Sequence, residues 1–344
     1  MISGCYPALI TPFQDGAVDY EGLSRLVDFQ IANGVSGIVA VGTTGESPTL
    51  DWNEHNRVIE MIASKTRGNL QCIAGTGSNN TAETLAATEQ AVRAGAEAVL
   101  LVDPYYNGPS SLEIRREYIE PVAARFPETG VIPYVVPGRT GAQLLPEDLA
   151  LAYGRFQNVN TVKEATADPD NMRRVRQCCG PDFTILSGDD NLTYQLMADP
   201  DIRAGGVISV YANIFPKAVS EMTRAARQGE LDRARGLADQ LAPLLELVTV
   251  STAETTPYGE VVCRARNPLP VKTLMAVLGM PAGDCRQPLG RMTARGLDKL
   301  LSAAKKVFEA APELFEPAAS CFGIDVADRL NDPAVRNQLA YQSY

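Results

Sequence analysis

The most constraining feature of this sequence is a series of eight short apolar segments separated by amphipathic stretches, at intervals of roughly 20 to 30 residues. The predicted strands are Pro7–Thr11, Gly37–Val41, Gln71–Thr76, Ala98–Val102, Ile132–Val136, Thr161–Glu164, Phe183–Ser187 and Gly206–Val210. Because each segment is apolar almost throughout, we expect it to be buried on both faces, as in a parallel sheet covered by helices. The first intervening helix is predicted to begin after Asp19, with Leu23, Leu26 and Val27 on its buried face.

Eight βα units favour an α/β fold of the (β/α)8 TIM-barrel type over an open doubly wound sheet, which more often has five to seven strands. We therefore expect a catalytic barrel over residues 1–225. After Val219 the pattern predicts helices alone, which would form a C-terminal helical domain over residues 226–310. Its predicted helices are a long one from Leu231 to Val248, kinked at Pro243, followed by Val271–Leu278 and Thr293–Ala310. Residues 311–344 are predicted to form an extension that is either a docked arm or a loose tail.

Composition excludes several classes of function. Lys and Arg number 31 and Asp and Glu 41, a formal net charge of −10, which makes a nucleic-acid partner a poor prediction. No apolar run approaches the roughly 20 residues of a membrane span, and the N-terminus lacks a basic leader, so we expect a cytoplasmic protein without a membrane partner. Seven scattered cysteines without a CxxC pair, and one histidine, argue against a metal site and a disulfide framework.

Two segments at predicted strand ends carry side chains suited to chemistry, since active sites of TIM barrels lie at that end. Residues 42–46 (GTTGE) are predicted to form either an anion-binding turn or an ordinary βα turn, two interpretations of similar weight. Lys163 lies near the end of an apolar strand, where burial would favour a neutral, nucleophilic amine. The alternative is a lysine at the barrel rim that pairs with Glu164 or with another carboxylate of the rim.

Aromatic residues and an arginine favour the nucleophilic interpretation of Lys163. Tyr105 and Tyr106 follow the fourth predicted strand, while Tyr134 and Arg139 lie in and after the fifth. Phenols at strand ends can transfer protons, and a guanidinium can hold a carboxylate through two hydrogen bonds. Together with the GTTGE turn these groups predict a pocket for a 2-oxo acid, whose ketone the lysine would attack.

The chain resembles the dihydrodipicolinate synthase/N-acetylneuraminate lyase family of pyruvate-dependent class I aldolases over roughly residues 3–300. The resemblance depends on a combination of motifs at residues 42–46 (GTTGE), 104–107 (PYYN), 134–141 (YVVPGRTG), 162–166 (VKEAT), 187–190 (SGDD), 206–210 (GVISV) and 267–272 (NPLPVK). It implies a barrel enzyme, a lyase that works through a covalent imine on its lysine and needs no other cofactor.

The resemblance also implies roles for individual residues. Lys163 would form a Schiff base with pyruvate, and the resulting enamine would condense with L-aspartate 4-semialdehyde to give 4-hydroxy-tetrahydrodipicolinate, a step of lysine and diaminopimelate biosynthesis. The other residues of the implied site are the acid/base Tyr134, the proton-relay residues Thr43 and Tyr106 (the latter from a neighbouring subunit), the pyruvate-site residues Thr44 and Ile208, and Arg139 for the second carboxylate. Homotetramers, as dimers of tight dimers, are usual in the family.

Lysine-inhibited members of the family bind free lysine in a cleft at the tight-dimer interface. The matching positions of this sequence are Ser47, Pro48, Trp52, His55, Asn79, Glu83 and Tyr105. The carboxylate of Glu83 suits an ammonium group, and Trp52 offers an apolar wall to an aliphatic chain. The alternative is that Trp52 and His55 only pack the start of the second barrel helix.

Departures from the family pattern leave the aldehyde open. Val135 stands where asparagine is common, the loop at residues 199–203 is longer than usual, and the segment beyond about Ala310 has no recognised counterpart. One alternative is a sibling aldolase that acts on N-acetylneuraminate or a 2-keto-3-deoxy sugar acid, although such enzymes often lack an arginine at position 139. A remote alternative is a catalytically silent ligand-binding homologue, which would be expected to have lost Lys163 or Tyr134.

Overall fold

The computed structural model of the chain describes residues 2–344, with only the main chain described at residue 336. Its centre is an eight-stranded parallel sheet in the order β1-β8-β7-β6-β5-β4-β3-β2. The strands are β1 (Gly4–Pro7), β2 (Gly37–Ala40), β3 (Gln71–Gly75), β4 (Ala98–Val102), β5 (Gly130–Val135), β6 (Thr161–Glu164), β7 (Thr184–Ser187) and β8 (Gly206–Ser209). A parallel bridge between Ala8 and Val39 joins the first strand to the second, so the sheet closes into the predicted barrel.

The predicted strand positions are confirmed to within a few residues. β4 and β6 have the predicted bounds, whereas β1 begins three residues earlier and ends four residues earlier than predicted. The difference at β1 follows from its ladder, in which Gly4 to Pro7 pair with Gly206 to Ser209 of β8. Beyond it, the Thr11 hydroxyl donates to the carbonyl of Gly45, so this end of the segment supports the loop after β2.

Helices cover the outside of the barrel after each strand. They are α1 (Tyr20–Ala32), α2 (Trp52–Thr66), α3 (Thr81–Ala94), α4 (Glu120–Arg125, continuing the helical turns of Ser111–Ile119), α5 (Pro146–Arg155), α6 (Pro169–Cys179), α7 (Thr193–Ala198) and α8 (Pro216–Arg227). The predicted start of α1 is confirmed, because the Asp19 side chain caps it by accepting from the N–H of Gly22 at 2.8 Å. A capping box of Asp51 and Glu54 fixes the start of α2.

The region after the barrel differs from the prediction in one element. The helices α9 (Leu231–Leu245), α10 (Leu269–Leu278) and α11 (Ala294–Ala310) lie close to their predicted positions, with Pro243 inside α9. The prediction of helices alone after Val219 is wrong, because β9 (Thr249–Thr256) and β10 (Gly259–Arg266) form an antiparallel hairpin between α9 and α10. Residues 249–256 are rich in β-branched side chains, which favour a strand over a helix.

The segment after Ala310 is docked against the rest of the chain. It forms α12 (Glu316–Phe322), α13 (Val326–Asn331) and α14 (Ala334–Leu339). A short parallel pair of β11 (Met292–Thr293) and β12 (Ala340–Tyr341) then joins its end to the start of α11. The buried ring of Phe315 packs against Phe215 of the barrel at 4.9 Å between centroids and against Phe308 of α11 at 5.5 Å. Of the two alternatives for this extension, the structure shows the docked arm.

Within the part of the chain that the structure describes, no helix is both long enough and apolar enough to cross a membrane.

Candidate active site

Lys163 and Tyr134 lie side by side inside the C-terminal end of the barrel. They are register partners on the adjacent strands β6 and β5, with exposed fractions of 5% and 6%. The Nζ atom of Lys163 lies 3.9 Å from the centroid of the Tyr134 ring. Glu164 is not the partner of this lysine, because its carboxylate accepts from the N–H and the hydroxyl of Thr166. Among the described residues Lys163 forms no salt bridge, which leaves its amine available to a substrate.

Apolar side chains surround these two groups inside the barrel. Ile208 of β8 is fully buried in the same cluster as Tyr134. The other members include Tyr6, Val39, Ile73, Leu100, Ile132 and Leu186. A small substrate held here is therefore screened from water on the inner side, a condition that strengthens electrostatic contacts with it.

The GTTGE turn follows β2 at the same end of the barrel. The N–H groups of Glu46 and Ser47 bond back to Thr43 and Gly42 within the turn, so they do not contribute to an anion-binding nest. Among the described residues the N–H groups of Thr43 and Thr44 have no hydrogen-bond partner, so these two can still meet a carboxylate. The turn thus offers an anion fewer backbone donors than its glycines suggest.

A buried ion pair holds this turn from behind. Glu46 has a left-handed backbone with φ of 57°, and its carboxylate lies 2.6 Å from the Nζ atom of Lys272 on α10. Both side chains are almost wholly buried. The ammonium group of Lys272 also donates to the carbonyl of Thr11, and the N–H of Arg286 donates to the other oxygen of Glu46. The turn is therefore attached to the region after the barrel as well as to β2.

Asn267 connects the turn to Arg139. Its side-chain amide donates to the Thr44 hydroxyl at 2.9 Å, while its backbone carbonyl accepts from the Arg139 guanidinium at 3.2 Å. Burial lowers the pKa of Arg139 from its ordinary value, and the nearby phenol of Tyr134 opposes that shift. The structure thus brings Thr44 and Arg139 together through a residue to which the sequence pattern gives no role.

Asp189, which follows β7, supplies a further carboxylate near the lysine. Burial raises its pKa, and the positive charges of Lys163 and Arg139 oppose the rise. One of its carboxylate oxygens is buried without a hydrogen-bond partner among the described residues. Burial also raises the pKa of Glu164 and of Asp103 to about 7 each. The end of the barrel therefore holds two carboxyl groups, those of Glu164 and Asp103, whose pKa lies near neutrality.

Tyr106 is separate from the other predicted site residues. Its side chain is 93% exposed and its backbone has φ of 76°, so it projects from the loop after β4 into solvent. The neighbouring Tyr105 is 39% exposed, and its N–H donates to the side chain of Asn79 at 2.7 Å. In a single chain the structure brings together Lys163, Tyr134, Ile208, the GTTGE turn and Arg139, but not Tyr106.

One cavity of about 370 Å³ adjoins this site. On one side it is lined by Thr43, Tyr134 and Arg139. On the other side it is lined by six of the seven positions matched to the lysine cleft: Ser47, Pro48, Trp52, His55, Glu83 and Tyr105. The seventh, Asn79, lies behind Tyr105 through the hydrogen bond just described. Residues of both predicted sites therefore line one continuous cavity, and the part lined by these six positions is called its cleft end.

The cleft end of the cavity has its own fixed hydrogen bonds. His55 lies with its Nε2 atom 3.3 Å from the Ser47 hydroxyl and its ring edge-on to Trp52 at 5.1 Å. Burial lowers the pKa of His55 to about 4, so its imidazole is neutral at physiological pH. Glu83 accepts from the Ser78 hydroxyl at 2.6 Å and is the carboxylate that lines the cavity at this end.

Comparisons with known proteins agree with this architecture. Residues 1–307 match the sequence profile of the Dihydrodipicolinate synthetase family. A 4-hydroxy-tetrahydrodipicolinate synthase of Methanococcus vannielii is 39% identical over 302 residues, covering 88% of this chain and 97% of the relative. One of Trichlorobacter lovleyi is 42% identical over 306 residues, covering 89% and 99%.

Solved structures give the same result. The 4-hydroxy-tetrahydrodipicolinate synthase of Methylacidiphilum fumariolicum SolV superimposes with a TM-score of 0.83 at 34% identity, covering 92% of this chain and 99% of that one. The profile match, the relatives and the fold agree over the barrel and most of the region after it. The chain belongs to the dihydrodipicolinate synthetase family.

Proposed function

We propose that this chain is a 4-hydroxy-tetrahydrodipicolinate synthase, a lyase that condenses pyruvate with L-aspartate 4-semialdehyde. The observation that carries the proposal is the position of Lys163, which is buried, forms no salt bridge among the described residues and lies against the ring of Tyr134, which lines the cavity. An amine that is desolvated in this way can attack a ketone, and a phenol beside it can exchange the protons of the addition. The family is one of pyruvate-dependent class I aldolases.

The proposed reaction begins with pyruvate bound by its carboxylate at Thr43 and Thr44. The amine of Lys163 adds to the ketone carbon, and loss of water gives an imine. Loss of a proton from the methyl group gives an enamine, which forms a carbon–carbon bond to the aldehyde of the semialdehyde. The amino group of that substrate then closes the ring on the imine carbon and releases the lysine. The imine serves as the electron sink, so the proposed reaction uses no other cofactor.

Arg139 supports aspartate semialdehyde as the second substrate. Its guanidinium lies at the cavity and is held by the carbonyl of Asn267, so it can bind a second carboxylate through two hydrogen bonds. A sugar acid chain would place hydroxyl groups there instead, and these do not need a cation. This contact favours the proposed substrate over N-acetylneuraminate or a 2-keto-3-deoxy sugar acid.

The test is reductive trapping of pyruvate on the enzyme. Borohydride added with pyruvate is expected to give a stable adduct on the Lys163 peptide and to abolish activity. Lys272 is the matched control, since it is equally buried but ion-paired with Glu46, and its peptide is expected to remain unmodified. An unmodified Lys163 peptide after this treatment would refute the imine. Initial rates with aspartate semialdehyde and with sugar aldehydes would then identify the second substrate.

We also propose that the cleft end of the cavity binds free lysine as an inhibitor. Glu83 offers a carboxylate to an ammonium group, and the half-exposed Trp52 offers an apolar wall to the aliphatic chain. The cavity is continuous with the space beside Tyr134, so an occupant would lie close to the reaction. Millimolar L-lysine is expected to reduce the initial rate, and Glu83→Ala to weaken this inhibition. A rate that lysine leaves unchanged would reject the proposal.

The proposed assembly is a homotetramer built from tight dimers, with Tyr106 reaching the site of the neighbouring subunit. Its support in this chain is the exposure of Tyr106, which in the single chain has no buried position.

A further inference from the structure

The hairpin of β9 and β10 has one covered edge and one open edge. On the outer side of β9, Arg295 of α11 donates to the carbonyl of Ala253 at 2.6 Å and Lys299 donates to that of Ser251 at 3.4 Å. β10 has no second strand partner among the described residues. It is eight residues long and holds neither proline nor lysine, the residues that proteins use to block such an edge. Unpaired edges of this kind are templates for another strand.

The register of the hairpin shows which backbone groups point to the open edge. Thr256 and Gly259 are paired across a two-residue turn. In such turns the two flanking residues form a hydrogen-bonded pair. From that pair along each strand, the N–H and C=O groups of alternate residues point to the partner strand, and those of the residues between point away from it. The N–H and C=O groups of Glu260, Val262 and Arg264 therefore point outward. The same alternation places their side chains on one face of the hairpin.

That face has a sequence that is complementary to itself. Glu260, Val262 and Arg264 are all exposed, Val262 at 66%. Reversal of the strand about Val262 exchanges Glu260 with Arg264. Within the described part of the chain Glu260 and Arg264 form no ion pair, and at four residues apart on a strand they are roughly 13 Å from each other. Each of these charges thus lacks a partner that a second reversed copy would supply.

We propose that β10 pairs antiparallel with β10 of a second copy of this chain, with a two-fold axis at Val262. In this register Val262 lies opposite its own counterpart and Glu260 opposite Arg264. The outward N–H and C=O groups of the two strands then meet as hydrogen-bonded pairs. An isologous contact of this kind requires such self-complementarity. The two hairpins become one four-stranded sheet that joins the copies.

Charge reversal tests this pairing. Glu260→Arg places positive charges at both positions 260 and 264, which face each other across the axis, and Arg264→Glu places negative charges at both, so each variant repels its own copy. The mass measured by sedimentation velocity is expected to fall by half for each variant alone, compared with the parent protein. An equimolar mixture of the two variants is expected to regain the parent mass, because unlike charges then face each other. Equal masses for the parent and both variants would overturn the proposal.

A disulfide between the two Val262 positions, across the proposed two-fold axis, gives a second test that does not depend on charge repulsion. Opposite residues of a hydrogen-bonded antiparallel pair have Cα atoms about 5.5 Å apart, within the range of a disulfide. In a Cys263→Ser background, Val262→Cys is expected to form a covalent dimer on mild oxidation, with the link mapped to that position. Thr255→Cys is the control, since it lies on the same exposed face but on β9, about 20 Å from its counterpart in the proposed sheet. A dimer that forms equally with both variants, or with neither, contradicts the register.

Discussion

The Glu46–Lys272 ion pair is the residue-scale feature that fixes the turn carrying Thr43 and Thr44. Both charges are almost wholly buried, and the ammonium group has three acceptors: Glu46 and the carbonyls of Thr11 and Asp284. Removing one partner of such a pair leaves an uncompensated buried charge, which costs more than removing both partners. Comparing a single substitution with the double substitution therefore distinguishes the effect of the ion pair from the effect of either side chain alone.

We predict that Lys272→Met lowers the free energy of unfolding by about 3–5 kcal/mol, since the carboxylate of Glu46 stays buried without its cation. Urea unfolding followed by circular dichroism measures this. The KM for pyruvate is expected to rise as well, because the turn proposed to bind its carboxylate loses its support. The double variant Glu46→Gln/Lys272→Met is the control and is expected to be more stable than Lys272→Met. Equal stability of the two variants would show that the charge pairing is unimportant.

The sequence predicts the positions and contacts of some residues of the candidate site but not of others. Lys163 is predictable, because a lysine in an otherwise apolar barrel strand is conspicuous and strand ends of barrels form the site. Asn267 is not predictable from local pattern, since it contacts Thr44 and Arg139 from 223 and 128 positions away along the chain. The partnership of Glu46 with Lys272 depends in the same way on how the region after the barrel packs against the barrel.

At the scale of elements, Asp103 attaches the Arg139 loop to the end of β4. It is fully buried and accepts from the N–H of Leu144 at 3.0 Å, while its other oxygen has no partner in the described part of the chain. Burial raises the pKa of this carboxyl from 3.8 to about 7. Between these values the folded protein binds more protons at this group than the unfolded protein does. The contribution of Asp103 to stability therefore falls as the pH rises from about 4 to about 7, and is constant above that.

We predict that Asp103→Asn removes this dependence while keeping an acceptor for Leu144. Relative to the parent, the variant is expected to gain stability between about pH 5 and about pH 8, by at most about 1.4 kcal/mol for each pH unit within the titration range. The measurement is urea unfolding of both proteins at the two pH values. Glu164 and Asp190 also have raised pKa values, but they are common to both proteins and cancel in the difference. The same stability difference at both pH values would contradict the prediction.

Helices and strands are predictable where a regular spacing of apolar residues continues along the whole element. The barrel strands and α11 are of this kind, because burial on one or both faces imposes regular spacing of apolar residues. The β9–β10 hairpin is exposed on one face, so its strands lack that apolar pattern, and the prediction of continuous helices overlooked it. A signal was present: β-branched residues on either side of Pro257-Tyr258-Gly259, a turn sequence between two strands.

At the scale of the whole molecule, the proposed site is incomplete within one chain. Tyr134 and Lys163 come from adjacent strands of the same barrel, whereas Tyr106 lies in solvent with its backbone held in a left-handed conformation. A side chain in that position can reach a buried site if another copy of the chain lies against the loop, as in a symmetric contact. The assembly and the chemistry are therefore predicted to depend on each other.

Mixing inactive subunits tests this dependence directly. Tyr106→Phe and Lys163→Ala are each expected to lose most activity, but a dimer of one with the other contains one site with both native residues. If subunits exchange at random, an equimolar mixture is expected to recover about a quarter of the parent activity, since half of the dimers are mixed and one of their two sites is intact. The control mixture of Tyr134→Phe with Lys163→Ala is expected to recover none, because those two residues belong to the same chain's site. Recovery in both mixtures, or in neither when mass spectrometry shows that subunits have exchanged, would place Tyr106 outside the neighbouring site.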